Sequence, residues 1–227
     1  MADEPDDFAL LSAWTQGDAR AAEQLTRRHY VSIRRFFDMR SPAQADDLTQ
    51  QTFLAAVEAR DAFRRASSFR TFLFGIAHKQ LLRSLRDAAP RVQRFDDNPG
   101  APATSLSMVA VRQQEHQLLL MALAQLPVEL QVVTELYYWE DMRTAAIGEV
   151  LEANPSTVTS RLARARELLR EHIAAMTRPG PLRERILADL EGLSRALGPV
   201  TRAANARASG PAATDAHVGD PLDRRGS

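Results

Sequence analysis

The apolar positions of this chain recur three and four residues apart almost from its start, and that spacing predicts helices. Phe8, Leu11 and Trp14 open the pattern, and Leu25, Ile33, Phe36 and Phe37 carry it on. Pro42 can sit in a first turn, after which Leu48, Phe53, Leu54 and Val57 mark a further helix. Phe69, Phe72, Leu73, Ile76 and Ala77 form a stripe that Leu81, Leu82 and Leu85 continue. No convincing strand-type alternation competes, so the expected fold class is all-α, with two small helical domains joined by a flexible linker. The first domain spans residues 8–87.

Residues 88–107 read AAPRVQRFDDNPGAPATSLS, where Pro90, Pro99, Gly100 and Pro102 oppose any helix and little is available for a core. This is the expected linker. The second domain spans 108–176, with Leu118, Leu119, Ala122 and Leu126 in its first helix and Pro127 restarting the chain into VELQVVTELYYW. RPGP at 178–181 breaks the chain again. Residues 177–198 form an amphipathic extension whose Leu182, Ile186, Leu190, Leu193 and Leu197 share one stripe, and 199–227 is an expected disordered tail. Such a stripe is costly to leave in water. Docking on the protein's own domains is favoured over a second protein, with a surface helix that completes the second domain as the plainer alternative.

Within the second domain, TAAIGEVLEANPSTVTSRLARARELLREH holds two helical patterns separated by Glu152 and Ala153, with Asn154 placed to cap the second helix and Pro155 at its first position. This reads as a helix-turn-helix. On a wheel of 100° per residue, Val158, Leu162, Ala165 and Leu169 fall within about 60° of one another and form the buried stripe. The opposite arc holds Ser156, Thr159, Ser160, Ala163 and Arg164, which are short donors, a methyl group and one planar fork suited to base edges in a major groove. Thr157, Arg161 and Arg166 lie at the flanks, where phosphates would be reached.

Composition changes the picture in three respects. At 227 residues, 44% hydrophobic and 26% charged, the chain is globular; without cysteine it has neither disulfides nor thiolate metal sites. The amino terminus MADEPDD is acidic, and no apolar run approaches the roughly 18 residues of a membrane span, so a cytoplasmic protein without membrane insertion is expected. Formal net charge is zero, yet between Arg60 and Arg86 seven basic side chains oppose only Asp61. That asymmetry suggests a polyanion site on one face. His29, His78, His116, His172 and His217 lie far apart with no ligand motif, so neither metal nor cofactor is expected. Asp46 and Asp47 project about 100° apart on a helix, which argues against a catalytic dyad, and no enzymatic activity is expected.

GDARAAEQLTRRHY, ADDLTQQTFLAAV and FRRASSFRTFLFGIAHKQLLRSLR, followed by LPVELQVVTELYYWEDMRTAAIGEVLEANPSTVTSRLARARELLRE, are similar in order and spacing to the two domains of extracytoplasmic-function sigma factors, over about residues 8–174. The resemblance implies a dissociable, non-catalytic initiation subunit of bacterial RNA polymerase. It implies that Asp46, Asp47, Leu48, Gln50, Thr52, Phe53 and Leu54 dock on the clamp coiled coil of the polymerase's largest subunit. It further implies a minus-ten site in the loop from Phe63 to Arg70 (Arg64, Arg65, Ser67, Ser68, Arg70) and on the following helix (His78, Lys79, Arg83, Arg86). The helix-turn-helix would then read the minus-thirty-five element, with the flap of the second polymerase subunit and an anti-sigma factor as further partners. Gln51, Phe72, Arg83, Glu152 and Thr159 depart from the residues usual in the family and leave the promoter sequence open. The rival expectation is a polymerase-independent helix-turn-helix regulator, for which only Leu182 to Leu197 could supply a dimer face.

Overall fold

The computed structural model describes residues 6–59, 63, 67–92 and 112–198, and among them every regular element is helical. Helix α1 (Asp7–Thr15) is capped by the Asp6 carboxylate, which accepts from Ala9 N at 2.7 Å. Gly17, at φ 97°, turns the chain into α2 (Ala19–Asp38), which Asp18 caps through Arg20 N and Ala21 N. A single 3-10 turn at Pro42–Gln44 leads to α3 (Ala45–Glu58). Ser68 Oγ accepts from Thr71 N at 3.0 Å and so starts α4 (Phe69–Val92). The helix runs on past the expected boundary at Asp87 and through Pro90. Pro90 stands two residues before Val92, so the hydrogen bond it forfeits and the crowding of its ring on the carbonyl four residues back fall on the last turn alone. Most of the expected linker, 93–107, and the tail from 199 lie outside the described residues.

Helices α1 to α4 close around Leu25, Ile33, Phe36, Phe37, Phe69, Leu73 and Phe74, all at most 1% exposed. Phe36 meets Phe37 and Phe74 edge to face, with ring centroids 5.3 and 5.7 Å apart.

The second group comprises α5 (Arg112–Ala124), α6 (Val128–Tyr138), α7 (Thr144–Leu151) and α8 (Pro155–Met176). The turn between α7 and α8 is Glu152 and Ala153, with Glu152 left-handed at φ 52° and Ala153 N donating to Gly148 O at 2.9 Å. Asn154 has the extended backbone of a cap position and Pro155 follows it, but the asparagine side chain makes no capping hydrogen bond, unlike the expectation. Val158, Leu162, Ala165 and Leu169 are all buried.

The extension is broken rather than continuous. Helix α9 (Pro181–Ala188) ends at Asp189, whose carboxylate accepts from Gly192 N at 3.1 Å and starts α10 over residues 190–198. Ile186, Leu190 and Leu197 are at most 3% exposed and share one apolar cluster with Leu119, Leu123, Leu126 and Ile173. The two domains also touch each other. Helix α7 packs along α4, and a single core runs from Phe36 and Leu73 to Ile147, Val150 and Val158.

Candidate nucleic-acid interface

On α3, Asp46 and Asp47 fall in the first turn, where carboxylates favour the positive helix end. Asp46 accepts from Arg34 Nε at 2.6 Å and Asp47 from Gln51 Nε2 at 2.8 Å. Leu48 and Thr52 point into the core, Phe53 is half-buried, and Gln50 and Leu54 are exposed. Leu54 at 54% and Val57 at 37% leave an apolar pair in water about two to three helical turns beyond the aspartates.

On α4, Ser68 is occupied as the helix cap and Ser67 is half-buried; Arg64 and Arg65 lie outside the described residues. Arg83 and Arg86 are exposed, while His78 is half-buried. Burial pushes the His78 imidazole below its ordinary value of 6.5, and the nearby Arg40 guanidinium works in the same direction. His29 is lowered as well by burial, against the pull of Asp7, whose Oδ2 stands 2.7 Å from its Nε2. Both shifts favour the neutral imidazole. A group with a depressed pKa in the native state binds fewer protons there than when unfolded, so stability grows with pH through the window just below 6.5 and is lost on acidification. Thermal melts should show the transition falling between about pH 7 and pH 5, and His78→Gln should flatten that slope.

On α8, Ser156, Thr159, Ser160, Ala163 and Arg164 are all exposed on one arc, while Thr157, Arg161 and Arg166 are half-buried beside it. The hydroxyls of Thr159 and Ser160 donate back to the carbonyls of Pro155 and Ser156, each at 3.0 Å, and would have to rotate to meet a base.

Five of the cations expected on DNA already hold a carboxylate: Arg70 with Glu140, Lys79 with Glu152, Arg161 with Glu129, Arg164 with Glu167 and Arg166 with Glu191. The first two cross between domains. Sequence reasoning missed the centre of this arrangement. Arg35 on α2 is 1% exposed, donates through Nε to Glu135 at 3.4 Å and through Nη2 to Glu140, and lies 5.3 Å from the Trp139 ring. Arg40 donates through Nη1 to Glu135 at 2.7 Å. Three arginines of the first domain thus meet two buried glutamates of the second. The acidic run from Glu135 to Asp141 was the visible signal, but nothing in a linear pattern pairs it with α2.

Among the described residues no cluster could hold a metal ion, and no helix is long and apolar enough to cross a membrane.

The family model for Sigma-70 region 2 matches residues 22–91, and that for Sigma-70, region 4 matches 116–169. The chain is 31% identical over 170 residues to the ECF RNA polymerase sigma factor SigM of Mycobacterium tuberculosis, covering 73% of this chain and 84% of that protein. It is 29% identical to the RNA polymerase sigma factor YlaC of Bacillus subtilis over 66% of this chain and 91% of the other. CnrH, solved in complex with the cytosolic domain of CnrY, superimposes with TM-score 0.54 at 24% identity over 75% of this chain and 99% of its own. RpoE of Bartonella quintana, solved with the anti-sigma factor NepR, gives TM-score 0.54 at 22% identity over 66% and 95%. A region-2 helical group followed by a helix-turn-helix of region-4 type, in a chain matching SigM over most of its length, assigns the protein: it belongs to the ECF RNA polymerase sigma factors and directs promoter recognition in transcription initiation.

Proposed function

We propose that this sigma factor docks on core RNA polymerase through the exposed side of α3, reads and opens the minus-ten element with α4 and the loop before it, and reads the minus-thirty-five element with α8. The observation that carries this reading is the presence of two separate polar helix faces, one on α4 and one on α8, in a chain whose third such face, on α3, exposes Leu54 beside carboxylates. Flipping and unstacking bases costs a few kcal/mol, which the cationic side chains Lys79, Arg83 and Arg86 offset through contact with the single strand. The protein itself performs no chemistry and works in the cytoplasm. The clamp coiled coil receives α3, the flap of the second subunit receives the second domain, and an anti-sigma factor is a further partner, in keeping with the NepR complex of the Bartonella relative.

Reconstitution tests this directly. With core enzyme the chain should initiate at a discrete start, whereas alone it should bind promoter DNA weakly; tight, sequence-specific binding by a free dimer would instead favour the polymerase-independent regulator. Arg164→Ala should relax recognition at one base pair of the upstream element, at a cost of about 1–3 kcal/mol if its fork meets a guanine. Selection of binding sites with the variant holoenzyme reads this out, and an unchanged preference at every upstream position removes Arg164 from base reading. Changing Lys79 and Arg83 together should slow opening at the downstream element, measured by permanganate reactivity of unpaired thymines.

A further inference from the structure

We infer that residues 181–198 are an intramolecular strap that holds the two domains against each other in a form that cannot reach both promoter elements at once. The strap is seated on the second domain by Ile186, Leu190 and Leu197, which complete the apolar cluster of α5 and α8. Polar contacts then fix it, among them Arg185 Nε donating to Glu115 at 2.9 Å. Trp139 Nε1 donates to Ser194 O at 2.7 Å, Arg166 Nε pairs with Glu191 at 3.0 Å, and Arg35 Nη1 donates to Gly198 O at 2.8 Å.

The last of these crosses to the first domain, because Arg35 belongs to α2. The same guanidinium holds Glu135 and Glu140, so the end of the strap and the acidic corner of the second domain meet on one buried side chain. Met39, just past α2, packs against the strap's own cluster. The approach is close: a Cβ on Gly198 would stand 3.2 Å from Trp139 Cα, a contact that glycine avoids.

The consequence for DNA binding follows from the same packing and rests on the assignment of α4 and α8 given above. Helix α7 lies along α4, and Lys79 is drawn to Glu152 at 2.8 Å. Glu152 occupies the left-handed position at the turn of the helix-turn-helix, where a glutamate bears a backbone cost that glycine would not. Its contact across the domain boundary gives that residue a use. Arg166, expected at a phosphate, is held by the strap through Glu191 and by the Tyr138 hydroxyl at 2.9 Å. Two elements centred some 25 base pairs apart lie about 80 Å apart along B-form DNA, so no form with α7 against α4 spans both. Transcription therefore requires opening. The buried network suits it, since Arg35, Arg40, Arg70, Glu135 and Glu140 regain water when the domains part, and ionic contacts in such a place give a specific fit more than a strong one.

The absence of cysteine permits a clean measurement. Glu58→Cys and Arg170→Cys, both at exposed positions, place one spin label on each domain. The full chain should give one narrow distance. Ending the chain after Asp189, which keeps α9 and Ile186, should lengthen the mean by more than about 10 Å, close to one domain radius, and broaden it. Arg35→Met in the full-length chain leaves the strap's apolar seat intact and guards against a truncation that merely unfolds the second domain; it should open the pair in the same way. A narrow, unshifted distance in either variant overturns the strap. Promoter-dependent transcription by the full chain with core enzyme is scored separately, so failure of the DNA assignment and failure of the strap are distinguishable.

Discussion

Glu140→Ala should cost the closed form about 3 kcal/mol, the low end of the penalty for breaking a buried ion pair, because Arg35 keeps its contact to Glu135. Glu140 is 1% exposed and accepts from both Arg35 and Arg70, so its removal takes one of two carboxylates from a buried guanidinium and releases another. The two losses differ. Arg70, with a side chain 32% exposed, can turn to water, whereas Arg35 at 1% retains only the longer contact to Glu135 and the Gly198 carbonyl among the contacts described above. Replacing both members as Arg35→Met with Glu140→Leu removes the charge together with its counter-charge and should recover most of the stability, because apolar groups of similar size tolerate the dry site. Urea unfolding followed by Trp139 fluorescence in a Trp14→Phe background reports the transition, since the Trp139 ring lies against Arg35 and bonds Ser194. A double variant as damaged as the sum of the singles would show that the network contributes no coupled energy.

Gly148→Ala should damage the helix-turn-helix more than its single methyl group suggests. A Cβ at Gly148 would stand 2.6 Å from the carbonyl oxygen of Ala153, and that oxygen is backbone, so the turn itself must shift. The turn has little freedom to do so. Ala153 N already closes on Gly148 O at 2.9 Å, and Glu152 is already left-handed. Overpacking of this kind costs about 1–3 kcal/mol, and here the upper part of that range is expected because a ring of backbone closes the site. The displacement also re-aims α8, so holoenzyme binding at the upstream element should weaken at least about tenfold, a loss of about 1.4 kcal/mol. Gly75→Ala serves as the control, since a Cβ there meets nothing within 4 Å. Equal binding by the two variants would show that the turn yields without moving α8.

What could be read from the sequence was whatever depends on neighbours three and four residues away. The buried stripe of α8, the aromatic positions of α4 and the location of the turn at Glu152 and Ala153 all follow from local spacing, and the structure has them there. Where a helix stops is a weaker signal, as Pro90 shows. A proline in a last turn reads the same in a linear pattern as one that breaks a helix. The extension's apolar stripe was legible, but its division at Asp189 depends on one side chain accepting from Gly192 N. Closure of the domains was invisible for another reason. Arg35 and Glu140 are separated by 105 residues and each looks like surface charge in its own segment. Only the folded chain places both in a dry space, and so a linear pattern shows the expected site cations without the carboxylates that occupy them.

Those occupied cations bear on how the factor searches a chromosome. Non-specific DNA affinity comes almost wholly from counterions released as phosphates are neutralised, at close to one per contact. Arg70, Lys79, Arg161, Arg164 and Arg166 each face a glutamate already, so the carboxylates act as internal stand-ins for phosphate. The free protein should then show a shallow dependence of DNA binding on salt, and holoenzyme a steep one, in a titration of both on the same random duplex. With on the order of 10⁶ or more random sites competing in a genome, a factor carrying bare arginines would be spread along the chromosome. One whose charges are internally answered stays in solution, where core polymerase can find it.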